Sequence, residues 1–239
     1  MMNSSIVAII QARMGSSRLP GKVLLDLAGT PMLGRVVQRT QQSRLIDQAL
    51  VATTTEPEDD AVAAYCTAQG YPFSRGSLHD VLDRYYQAAL KTEAGIIVRI
   101  TADCPVIDPM VIDQTICAFL GATTTAQALQ KLNNGPAFPY DFAANRLPPP
   151  WNRTFPIGLD VEVCHFKALH RAWLEADQAY HREHVFPYLY ENADFIASTV
   201  VSGSPYINEV SPFTVSISPN NKKGPASRTP FKVLLVNHD

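Results

Sequence analysis

Apolar residues along this chain follow two rhythms. Short continuous runs at Ile6–Ile10, Ala49–Thr53 and Ile96–Ile100 read as strands buried on both faces. Between them the apolar positions fall at helical spacing. Leu33, Val36 and Val37 follow Thr30-Pro31, an N-cap and first-turn proline pair. Val62, Tyr65 and Cys66 follow Thr55-Glu56-Pro57-Glu58, which has the capping-box form, and that helix stops at Gly70. A short strand around Phe73 precedes a helix over about 79–92 carrying Leu82, Tyr85 and Ala89, and Asp108-Pro109 opens another helix. This alternation, up to about residue 120, predicts an α/β fold with a mostly parallel central sheet flanked by helices.

The rhythm then breaks. Residues 121–154 are rich in Thr, Asn and Pro, including Pro148-Pro149-Pro150, and read as an irregular excursion. A strand is expected at Ile157–Val163, then helices over 166–176 and 180–192. Ser, Pro and Asn dominate 193–229 around a weak strand at Ile196–Val201. The apolar run Phe231–Val236 reads as a terminal strand.

Composition mainly excludes. A hydrophobic share of 46% with 18% charged residues describes an ordinary globule. A net charge of −2 argues against a general nucleic-acid binder. No apolar run reaches the ~18 residues of a membrane span, and no signal-peptide core is visible. Cys66, Cys104, Cys117 and Cys164 form no Cys-x-x-Cys pair, so zinc and a disulfide framework are disfavoured. A cytoplasmic location is expected.

The chemistry is concentrated where the first strand ends. From Ile9 to Lys22 the chain reads IIQARMGSSRLPGK, placing Arg13, Arg18 and Lys22 among Gly15, Ser16, Ser17 and Gly21. Small residues let backbone N–H groups approach an anion, and three cations suit a ligand with several negative charges, such as a nucleoside triphosphate. The spacing is not Walker A: five residues separate Gly15 from Gly21, and Val23 stands where a metal-binding hydroxyl belongs. No Gly-x-Gly-x-x-Gly fingerprint is present.

A triphosphate is usually handled with Mg²⁺, so a carboxylate should face the loop. Asp103 lies just past the carboxyl end of the Ile96–Ile100 strand, the sheet edge that carries ligands in open α/β folds. It reads as a metal carboxylate or as a turn residue before Pro105. Asp160 and Glu162 at i and i+2 would leave one face of a strand together, as paired functional carboxylates or as a solvated edge. His181 and His184 lack a third ligand nearby and suit a surface or dimer role better than a metal. Arg75-Gly76-Ser77 either contacts base or ribose or forms a βα turn.

Together these residues resemble the cytidylyltransferases that make CMP-activated sugars. The branch is that of the spore-coat polysaccharide biosynthesis F-type proteins, related to the acylneuraminate and 3-deoxy-manno-octulosonate enzymes. The resemblance runs through QARMGSSRLPGKVL (11–24), VATTT (51–55), RGSLHDVLDRY (75–85), VRITADCPVIDP (98–109), YDFAANRLPPPW (140–151), FPIGLDVEV (155–163) and REHV (182–185). It implies a Rossmann-like nucleotide-diphospho-sugar transferase fold and transfer of CMP from CTP, with Mg²⁺, to an acidic sugar for surface polysaccharide or glycan synthesis.

By that resemblance Arg13, Lys22 and Asp103 are catalytic. Gln11, Ala12, Arg13, Gly15, Ser16, Arg18, Lys22, Arg75, Gly76 and Ser77 bind the nucleotide. Asn145, Asp160, Glu162, Arg182 and His184 face the sugar. Asp103 holds the metal; apart from the resemblance, Asp160 or Glu162 is expected to complete the metal site. The implied organisation is one domain over 1–239: a nucleotide-binding half at 1–120, a sugar-binding half at 121–192, an insertion at 193–229 and a terminal strand at 230–239. In relatives that strand leads into a Trp-Thr-Val-Asp-Thr-Pro segment, so a truncated or variant chain is expected. The apolar and aromatic 180–190 helix suits a homodimer. Two alternatives stay open: a nucleotidyltransferase using another NTP, and a nucleotide-binding protein without turnover.

Overall fold

The apolar runs build the first half of one sheet. In the computed structural model β1 (Ile6–Gln11) pairs in parallel with β2 (Gln48–Thr54) on one side and β4 (Ile96–Thr101) on the other, and β3 (Phe73–Gly76) lies parallel outside β2. The structure describes residues 4–16, 18–135, 138–149, 151–201, 210–217 and 229–238, with the backbone alone for 194–201 and 210–217. Ser17, Pro150 and Asp239, and much of the expected insertion, lie outside the described residues.

The second half extends the sheet in mixed directions. β6 (Glu162–His165) runs antiparallel to β4, and β5 (Phe142–Ala144) antiparallel to β6. β9 (Phe231–His238) joins β5 in parallel, β7 (Ala193–Val201) joins β9 in parallel, and β8 (Val210–Ile217) closes the order antiparallel to β7. The sequence is thus β3-β2-β1-β4-β6-β5-β9-β7-β8.

Continuous apolar strands require cover on both faces, and the helices supply it. Ile6, Ala8 and Ile10 pack with α1 (Met32–Thr40), α2 (Asp60–Gln69) and α4 (Pro109–Phe119). Val7 and Ile9 pack on the other face with α3 (Val81–Lys91), α6 (Phe166–Glu175) and α8 (Pro187–Glu191). None of the described helices is long and apolar enough to cross a membrane.

Four expectations need correction. Thr55 caps no helix. A 3-10 turn at Pro57–Asp59 intervenes before α2, because buried Asp59 accepts a hydrogen bond from the Thr54 hydroxyl, which draws this turn inward. The strand expected at Ile157–Val163 begins only at Glu162, so Asp160 is on a loop and shares no strand face with Glu162; the left-handed Gly158 (φ 94°) bends the chain there. The helix expected over 180–192 is two short ones, α7 (Ala179–His184) and α8. Val185 at φ 74° and Pro187 divide them, since proline has no N–H to continue the ladder. Tyr188 and Leu189 are buried in the core, so the apolar face proposed for a dimer is largely used within the chain. The region read as irregular also holds α5 (Thr125–Asn133), capped by the Thr124 hydroxyl accepting from Gln127 N–H.

Candidate functional site

β1, β2 and β4 all point their carboxyl ends at one edge, and their exit loops are tied together there. Ala12 N–H donates to Ala52 O at 3.1 Å, and Ala102 N–H donates to Gln11 O at 2.9 Å. The loop after β1 is clamped at its start by Asp59, only 1% exposed, which accepts Met14 N–H at 2.6 Å. It closes where Gly21 N–H donates to Met14 O at 2.8 Å, with Gly21 left-handed at φ 71°. Val23 then buries its side chain under a 3-10 turn, Lys22–Leu24, fixing where Lys22 starts.

These constraints create a cavity of about 260 Å³ walled by Gln11, Arg13, Gly15, Ser16, Arg18 and Lys22 on one side and Arg99, Thr101 and Asp103 on the other. Lys22 Nζ reaches Asp103 Oδ2 at 2.7 Å across 81 residues of sequence. Burial alone would raise the Asp103 carboxyl, but hydrogen bonds from Lys22 and Thr101 and the Lys22 charge hold it below its ordinary value.

Arg99 was not singled out in the sequence, although a lone arginine within an apolar strand is itself the signal. β4 pairs Arg99 opposite Glu162 of β6, and the two form an ion pair of which Arg99 lines the cavity. Arg99 also donates weakly to Gln11 Oε1 at 3.4 Å and lies over the Tyr85 ring at 6.0 Å. Burial would lower its pKa, but the Glu162 charge outweighs that and raises it. The Tyr85 phenol, fully buried, is pushed up to about 12 and donates to Ile9 O. Arg84, also missed, is buried on α3 against Gly76. It donates Nη1 to Ser77 O at 2.6 Å, while burial, chiefly, lowers its pKa.

Other expected site residues have structural employment. Ala12 is buried, and its backbone stitches β1 to β2. Arg75 donates to Thr54 O and Glu56 O and pairs with Asp60 at 2.7 Å, bracing the β2–α2 turn. Gly76 is packed on Arg84, where an added Cβ would sit 3.1 Å from Arg84 Cγ. Ser77 Oγ accepts from His79 and Asp80 N–H in the β3–α3 turn. None of these three lines the cavity.

The residues assigned to a sugar scatter similarly. Buried Asn145 clips the 157–161 loop to β5, donating to Leu159 O and accepting from Val161 N–H. Arg182 grips Asp80, the α3 N-cap, through Nε and Nη2 and donates to Trp173 O. His184 is exposed on α7. Asp160 is held by both nitrogens of Arg153 at 2.6 and 3.1 Å, with Arg146 at 3.7 Å. Its charge is thus matched by guanidinium groups, and both it and Asp103 act electrostatically on the Cys104 thiol between them in sequence. Among the described residues no cluster of three or more His, Cys, Asp or Glu is placed to hold a metal, and His181 Nε2 lies 2.9 Å from Glu191 Oε2.

Removing the Asp59 clamp tests how the loop is held. Asp59→Ala leaves Met14 N–H and the Thr54 hydroxyl without their acceptor, and a loss of about 2 kcal/mol in urea unfolding is expected. An unchanged midpoint would show that the clamp contributes nothing.

Comparison with known proteins agrees with this geometry. A family model described as Cytidylyltransferase matches residues 7–215. The chain is 38% identical over 187 residues to an uncharacterized protein of Methanocaldococcus jannaschii, covering 78% of this chain and 68% of that one. It is 40% identical to a spore coat polysaccharide biosynthesis protein of Bacillus subtilis, covering 48% of this chain and 50% of the relative. With a 3-deoxy-manno-octulosonate cytidylyltransferase of Trichlorobacter lovleyi it shares 43% identity, covering 48% and 45%. A solved cytidylyltransferase from Leptospira borgpetersenii superposes with TM-score 0.66 at 34% identity, covering 79% of this chain and 71% of that one. The matches to the two relatives named for a function therefore span about half of each relative's length.

Proposed function

The chain belongs to the cytidylyltransferase family, and from that premise we propose that it transfers CMP from CTP to an acidic sugar with release of pyrophosphate. The observation that carries the reading is the cavity at the strands' carboxyl edge, where Arg13, Arg18 and Lys22 of one loop meet the single carboxylate of Asp103. In this reading the acceptor hydroxyl oxygen bonds to the α-phosphorus, and the bond from that phosphorus to the β-phosphate bridging oxygen breaks. The hydroxyl proton passes to solvent, and pyrophosphate leaves. Arg13, Arg18 and Lys22 would bind the triphosphate and stabilise charge growing on the departing pyrophosphate. Gly15 and Ser16 would bring backbone N–H groups close to it.

The residues fit a magnesium ion of the kind that accompanies nucleotides. Asp103 presents a half-exposed carboxylate already held against a cation, and Mg²⁺ is commonly bound through one or two carboxylates plus substrate phosphates. Asp103 would hold the ion, which when bound supplies Lewis-acid polarisation of the phosphoryl group. The acidic sugar is supported by the substrate in the name of the Trichlorobacter relative.

The test is pyrophosphate release with Mg²⁺ and each of CTP, UTP, ATP and GTP, using 3-deoxy-manno-octulosonate and N-acetylneuraminate as acceptors. Release confined to CTP is the expected result; equal release with UTP would make base selectivity wrong. The neutralised Asp160 favours one second reading, a nucleotide-binding protein without turnover. CTP binding by calorimetry with no pyrophosphate from any acceptor would select it.

A further inference from the structure

The ammonium of Lys22 stands on Asp103 at the place where a cation would bind that carboxylate. This is a designed position rather than a drifting surface contact. The left-handed Gly21 and the buried Val23 fix the backbone on either side of Lys22, and β4 with the Ala102–Gln11 hydrogen bond fixes the approach to Asp103.

The remaining surroundings are hostile to a bare divalent ion. Magnesium and manganese ions take about six oxygen ligands, and the described residues offer Asp103 with no clustered companions. Arg13 and Arg18 line the same cavity, and neither has an ion-pair partner among the described residues. Arg99 is matched by Glu162, and Lys22 by Asp103, so the cavity keeps a positive excess. A free cation would have to displace an ammonium and enter against that field. A triphosphate reverses both conditions: it supplies phosphate oxygens and a competing anion for Lys22.

Building on the proposed nucleotide site, we infer that Lys22 is a positioning residue for the metal carboxylate: it occupies Asp103 in the free protein and so weakens the loading of a divalent cation there until a nucleoside triphosphate, whose phosphates take Lys22 over, is bound. The exchange is one of non-covalent partners. Lys22 moves from carboxylate to phosphate, and Asp103 from ammonium to metal. Linkage then requires that the nucleotide and the cation raise each other's affinity by the same factor.

The sign of one substitution separates this from a plain phosphate-binding lysine. Mn²⁺ is titrated into the nucleotide-free chain and followed by electron paramagnetic resonance. Lys22→Met is expected to bind Mn²⁺ about two- to fivefold more tightly than the natural chain, the size of a half-exposed ion pair. Lys22→Met combined with Asp103→Asn should lose that gain, and Lys22→Arg should not show it. In a separate calorimetric titration Lys22→Met should weaken CTP binding. Unchanged or weaker Mn²⁺ binding by folded Lys22→Met, checked by circular dichroism, overturns the inference. Because the Mn²⁺ titration contains no nucleotide, that result leaves the proposed function standing. Absence of CTP binding by the natural chain strikes the function instead.

Discussion

Asp103→Asn should lower turnover by about a hundred- to a thousandfold and leave folding nearly intact. The amide keeps the shape and hydrogen-bonding capacity of the side chain but removes the charge proposed to hold the metal at the reacting phosphate, an effect worth several kcal/mol in transition-state stabilisation. Its ion pair with Lys22 is almost half exposed on the carboxylate side, so its loss costs little stability. A shift in melting temperature of no more than about 3 °C is expected for a chain of this size. The measurement is initial-rate pyrophosphate release beside a thermal melt. Retention of more than a tenth of the natural rate would remove Asp103 from the reaction.

Glu162→Leu should act in the opposite way, through stability first. Arg99 and Glu162 face each other across β4 and β6, each about one-fifth exposed, among Ile97, Val98, Val163 and Cys164. Removing the carboxylate leaves a guanidinium whose Nε already has no partner among the described residues. Breaking one side of such a pair is expected to cost about 3 kcal/mol, whereas Arg99→Met with Glu162→Leu should recover most of it, because apolar residues of similar volume suit the site. Urea unfolding of the two single variants and the double variant gives the cycle. If Glu162→Leu falls within about 0.5 kcal/mol of the natural chain, the pair is effectively solvated and the argument is wrong.

The elements legible in the sequence were those governed by local rules. The strands Ile6–Gln11 and Ile96–Thr101 are apolar throughout most of their length, and the loop between Arg13 and Lys22 carries its anion chemistry in adjacent residues. The parallel half of the sheet followed from strand–helix alternation. In the second half the 166–176 helix and the Phe231–Val236 strand were legible from their own pattern, but the strand pairing was not, because its partners are set by register. Nothing local to Arg99 announces Glu162, which lies 63 residues away. Likewise Arg182 reads as a free cation until its grip on Asp80, 102 residues earlier, is seen. The partners of Asn145 and Asp160 were hidden for the same reason: the Leu159 and Val161 backbone and the Arg153 guanidinium reach them only once the 145–161 segment has folded. The single helix over 180–192 failed on a local signal, since Pro187 should have divided it.

The antiparallel seating of β6 against β4 also means that the β4 edge can be covered only once the chain extends to Glu162. As the chain emerges, β1 to β4 and the loop with its Asp59 clamp are complete by Thr101, whereas β6 follows only at Glu162. Through that interval the β4 edge has unpaired backbone groups on one side and Arg99 lacks its counter-charge. Without β6 the β4 edge would present unpaired backbone groups, and a charged residue such as Arg99 in an edge strand opposes edge-to-edge pairing with other chains.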